Sequence, residues 1–180
     1  MNQWSAFRLA REVNQIIESK AAVKPLDSKK DFFQFDADQL TIYCSKRTLE
    51  EIARCEKTNS ATARSYEAVL TLARRSAGVR ALEVPEPLLY CLFSCLHEFG
   101  HFDYWNSTSE AKKSNDIRER DSFLLRRKAQ AIGDSFYEHF GSESTIQTGD
   151  MYRMIPLERE ADRFAEGKIV FVIERLSHGE

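Results

Sequence analysis

A mainly helical α+β domain with a small sheet of two or three strands is the fold class this sequence predicts. Three observations predict it. Most segments carry apolar residues at helical spacing. One stretch, residues 31–45, is instead rich in aromatic and β-branched residues with a turn signal inside it. No internal repeat and no shift of composition divides the chain. At 180 residues the chain suits one ordinary domain and is too short for two comfortable ones.

The elements follow in order. Trp4, Phe7, Leu9, Val13, Ile16 and Ile17 give residues 2–20 an amphipathic helical pattern, which Lys24-Pro25-Leu26-Asp27-Ser28 breaks. In DFFQFDADQLTIYCS, Asp36-Ala37-Asp38 marks a turn between two short strands. Thr48 with Glu51 three residues on is the capping-box pattern, and it opens a short helix reaching about Lys57. Ser60 to Ala77 reads as a further helix, stopped by Gly78. Pro85 and Pro87 then open the next one, in the first turn, where a missing N–H costs nothing. The stretch that follows, Leu88 to about Trp105, is apolar on nearly every side, so this helix belongs in the middle of the domain. Residues 106–118 are polar and take the chain out of the core. Asp121 to about Phe140 is expected to be helical, Gly141 to Gly149 a loop, and Pro156 to about Leu176 the last helix.

Composition narrows the function classes. A net charge of -2 argues against a dedicated nucleic-acid binder. The basic run from Arg118 to Arg127 is interrupted by Glu119 and Asp121 and reads as a solvated helix face. The longest mainly apolar run, Leu88 to Leu96, falls far short of a membrane span. The N-terminus has no apolar core behind a basic start, so no secretory signal is expected, and a cytoplasmic protein is. Cys91 and Cys95 lie four apart in an apolar stretch and are expected to be buried as small hydrophobes rather than ligands. Cys44 and Cys55 have no metal-finger spacing.

The chemistry starts at His97-Glu98-Phe99-Gly100-His101, the HExxH pattern. Residues four apart on a helix share a face, so two imidazoles at this spacing can meet one metal ion. Zinc accepts imidazole nitrogen readily, although ligand type alone does not separate it from manganese or iron. Glu98 lies beside that face and can reach a metal-bound water without being a ligand itself. Gly100 costs about 1 kcal/mol in a helix interior relative to Ala, which suggests the close approach of another backbone.

A third ligand is needed. The HExxHxxGxxH extension is ruled out by Tyr104 and Ser107. A carboxylate from a second helix is the alternative, and Leu157-Glu158-Arg159-Glu160-Ala161-Asp162-Arg163-Phe164-Ala165 supplies it. Glu158 is the expected ligand and Glu160 its rival. Asp162, one turn beyond Glu158, is placed to accept a hydrogen bond from a ligand histidine and fix its tautomer.

HEFGH followed by EREADRFA resembles the ImmA/IrrE-like zinc peptidases, whose second motif often reads ExEAxxFA. It is also similar to the HtpX-like and CAAX-processing membrane peptidases, against which the lack of an apolar span counts. The resemblance covers about Thr41 to Ala165, with the matching motifs confined to two short helices. It implies a strand beside the active-site helix, with TIYCS as that edge. The chain is thus expected to be a single metallopeptidase-like domain, residues 1–180, and the gap from His101 to Glu158, long for that family, implies a helical insertion at about 106–150.

The reaction so implied is zinc-dependent hydrolysis of a peptide bond in a protein substrate, most simply by an endopeptidase. Glu98 would activate the zinc-bound water and pass its proton to the leaving amine. His139, Tyr152 and His178 are the candidate oxyanion donors. An extended substrate could add to the sheet edge as a strand. The expected partner is thus a protein or peptide substrate, with a regulator as a further possibility, and neither nucleic acid nor membrane is expected. The alternative is a metal-binding regulatory or interaction protein that keeps the site without turnover.

Overall fold

The computed structural model describes residues 4–26, 32–60, 62–122, 125 and 155–178. Its elements run α1 (Ala6–Ile16), β1 (Ala22–Leu26), β2 (Phe33–Asp36), β3 (Thr41–Ser45), α2 (Leu49–Thr58), α3 (Ala63–Ala77), a 3-10 turn (Gly78–Leu82), α4 (Glu86–Ser107) and α5 (Pro156–His178). Residues 110–122 are helical as well. The fold is a mainly helical α+β domain with a three-stranded mixed sheet. Among the described residues, no helix is long and apolar enough to cross a membrane.

Local chemistry explains the boundaries. Ser5 caps α1, its side chain accepting from the Arg8 N–H. The capping box at α2 is complete: Thr48 Oγ1 accepts from the Glu51 N–H at 3.2 Å, and the Thr48 N–H donates to Glu51 Oε2 at 3.0 Å. Gly78 ends α3 at φ +57°, a backbone angle that most side chains resist. Helix α4 begins at Glu86, two residues ahead of the apolar run. There the Glu86 carboxylate sits at the positive end of the helix and gathers Lys57, Tyr66 and Arg74 around it.

The sheet order is β1-β3-β2, parallel between β1 and β3 and antiparallel between β2 and β3. Two expectations change here. Strand β1 contains Pro25, which reads in sequence as a breaker. An edge strand tolerates a proline because one side of its ladder is unpaired. TIYCS is strand β3, the central strand, so it is not the edge beside α4. That edge is β2, which pairs with β3 on one side and contacts α4, and its Phe33 and Phe35 are partly buried there.

Buried α4 forms the middle of the domain, with α1, α2, α3, α5 and the sheet packed around it. Cys91 and Cys95 are fully buried in its apolar surface, and all four cysteines are free. The chain does not simply leave the core after α4. Asp116 is buried and accepts a hydrogen bond from the Tyr104 hydroxyl, which ties the 110–122 helix back to α4. The rest of the expected insertion, with the 121–140 helix beyond residue 125 and the 141–149 loop, lies outside the described residues.

Candidate metal centre

The seam between α4 and α5 carries the polar groups. Helix α5 buries Leu157, Glu158, Ala161, Asp162, Ala165, Ile169, Val172 and Ile173. These recur at three- and four-residue intervals, so Glu158 and Asp162 stand in an otherwise apolar stripe. A carboxylate buried there is expensive unless it finds partners.

The partners are the two histidines. His97 Nε2 lies 3.2 Å from Glu158 Oε2, and His101 Nε2 lies 3.5 Å from the same oxygen. The His97 and His101 rings stand nearly perpendicular, with centroids 4.6 Å apart. On the other side of the His97 ring, Nδ1 is 2.8 Å from Asp162 Oδ1. Burial works against a charge on His97, but the hydrogen bonds to Asp162 and Glu158 outweigh it and raise its pKa to about 9. Burial works against a charge on Glu158 too. There the His101 and His97 hydrogen bonds win and hold its pKa well below the usual carboxylate range.

This donor set fits a zinc ion. Tetrahedral zinc has bonds of about 2.0–2.2 Å to nitrogen and oxygen, which puts neighbouring ligand atoms about 3.4 Å apart. The observed nitrogen–oxygen distances of 3.2 and 3.5 Å bracket that spacing. Candidate ligand atoms of His97, His101 and Glu158 all lie within 4.8 Å of one another. With His97 Nδ1–H directed at Asp162, its Nε2 is the nitrogen presented to a metal.

Glu98 takes a different place. Its Oε2 accepts a hydrogen bond from the backbone N–H of Phe35 at 2.8 Å. Phe32 O accepts from Ser45 N at 2.9 Å, so the antiparallel alternation turns the backbone groups of Phe33 and Phe35 to the outer edge of β2. The carboxylate of Glu98 is therefore held at that edge, and Glu98 lines the same cavity as His97. Phe35 also stacks on the His101 ring, with centroids 6.4 Å apart and planes 19° apart. No sequence signal marks the Phe35 contact to Glu98, because a backbone N–H carries no residue type.

The remaining candidates separate. Glu160 is engaged with Arg163 at 2.7 Å and does not join the cluster. His178 is exposed in the last turn of α5, about 30 Å from Glu158 at the helical rise of about 1.5 Å per residue, which removes it as an oxyanion donor. His139 and Tyr152 lie outside the described residues. Comparison with protein-family models, with curated proteins and with solved structures finds no match.

Proposed function

We propose that this chain is a zinc-dependent peptidase of the ImmA/IrrE-like kind, cutting peptide bonds of a protein substrate. One observation carries the reading: two imidazole nitrogens each stand at a tetrahedral-edge distance from one buried carboxylate oxygen, and a second carboxylate, Glu98, adjoins His97 in the chain. His97, His101 and Glu158 would hold the metal. When bound, zinc supplies Lewis acidity, polarising a carbonyl and making water acidic near neutral pH.

The chain's own groups do the rest. Asp162 fixes the His97 tautomer and ring direction. The Phe35 N–H holds one oxygen of Glu98 and sets its orientation. Glu98 takes the proton of the attacking water and returns it to the leaving amine. The outer edge of β2 receives the substrate as an extended strand, which brings the scissile bond alongside Glu98. Four free thiols suit a reducing compartment, and a cytoplasmic site of action belongs to the same reading.

Glu98→Gln tests it. The variant is expected to keep its zinc and lose about 10²–10⁴-fold in peptide cleavage, as removal of a general base does. Cleavage at the wild-type rate by this variant rejects Glu98 as the general base, and a zinc-loaded wild type that cuts no peptide bond rejects the peptidase reading. Full biological activity without turnover would point to a metal-dependent regulator.

A further inference from the structure

A cavity of about 320 Å³ opens directly beside His97 and Glu98. Tyr90, Phe93 and Ser94 line it from α4, on the face that continues one and two turns back from His97. Phe32 and Phe33 line it from the start of β2. Across from them stand Glu56 of α2 and Thr62. The walls thus combine aromatic rings with polar groups, and the acidic ones are the carboxylates of Glu56 and Glu98. Among the described residues, no lysine or arginine lines the cavity.

Lys57 and Arg47, two basic residues among the described ones nearby, are engaged elsewhere. Lys57 pairs with Glu86. Arg47 stacks on the Phe32 ring at 5.8 Å and reaches Cys55 Sγ at 3.6 Å. Burial pushes the pKa of the half-buried Glu56 up, with hydrogen bonds to Thr62 and Tyr90 drawing it partly back. An apolar side chain would suit the rings but bury Glu56 further without a counter-charge. An acidic side chain would meet Glu56 and Glu98 together. A lysine or arginine side chain satisfies both features: its methylene stem covers the rings and its head meets the carboxylate.

We infer that this cavity is a specificity pocket, in which Glu56 receives the lysine or arginine side chain adjoining the cleaved bond of an extended substrate. The inference rests on the peptidase reading and names the substrate class for it. An aromatic ring also attracts a cation, so the half-buried Phe33 beside the cavity adds to the preference that Glu56 sets.

The test compares two nearly isosteric probes on the zinc-loaded full chain, N-acetyl-arginine hydroxamate and N-acetyl-citrulline hydroxamate. The hydroxamate anchors at the metal, and only the side-chain charge differs. Wild type is expected to bind the arginine probe about 10-fold or more tighter, as a charged hydrogen bond confers. Glu56→Gln removes that gap by weakening the arginine probe alone, while its citrulline affinity reports that the site is intact. Glu56→Lys turns the preference toward N-acetyl-glutamate hydroxamate. Equal affinities in wild type, or a gap that survives Glu56→Gln, overturn the pocket and leave the metal site standing. A chain that takes up no zinc overturns the peptidase reading and the pocket with it.

Discussion

Gly100 and Ala161 touch where α4 crosses α5: a Cβ placed on residue 100 would stand 2.7 Å from Ala161 Cα and 2.8 Å from its carbonyl oxygen. Those are backbone atoms and cannot rotate away. The contact lies between His97 and His101 on one helix and between Glu158 and Asp162 on the other, so it sets the depth at which the site assembles.

Gly100→Ala is therefore expected to destabilise the protein. Alanine would return about 1 kcal/mol of helix propensity. Overpacking against backbone costs about 1–3 kcal/mol, and the missing room makes the upper end apply. The expected net loss is about 1–2 kcal/mol, a fall of roughly 2–8 °C in Tm for a domain of this size. Zinc affinity falls with it. Thermal unfolding checks the sign, because an unconstrained helical glycine would give a rise instead.

Asp162→Asn keeps a similar shape but removes the charge that accepts from His97 Nδ1. Loss of such a partner costs about 10–100-fold in metal affinity. Competition with a zinc chelator should show that weakening, with one zinc per chain still bound at saturating metal. Unchanged affinity would mean that Asp162 does not orient His97.

Glu86 gives a pH dependence away from the site. Lys57 first, and then Tyr66, hold its carboxyl below the ordinary range, with burial opposing them. A lowered folded-state value stabilises above the unfolded one, about 4.3, and that contribution fades as the pH falls through the folded value. The group is partly exposed, so solvent screening limits it to about 1 kcal/mol. Denaturant titration of Glu86→Gln should show a deficit of that order at pH 7 that narrows below about pH 4.

Helical periodicity made much of this legible. Spacing by four puts residues 97 and 101 on one face, and 158 and 162 on another, with no knowledge of the tertiary fold. The cost of a mid-helix glycine pointed to a close neighbour at Gly100, and Ala161 is that neighbour. What was not legible depends on non-local pairing. Pro25 disguised β1, since only its edge position lets a proline sit there. The assignment of β2 rather than β3 to the edge follows from a parallel crossover that no local pattern encodes. Glu56 faces the cavity because α2 packs on α4, and nothing in its own neighbourhood marks it out.

Metal content after exhaustive dialysis tests the central claim most directly, measured on wild type, Glu158→Ala and Glu160→Ala side by side. One zinc per chain is expected in wild type and in Glu160→Ala, and close to none in Glu158→Ala, with the helical content of all three alike. Zinc retained in full by Glu158→Ala, or absent from the wild type after loading, would contradict the assignment of His97, His101 and Glu158 as a metal centre.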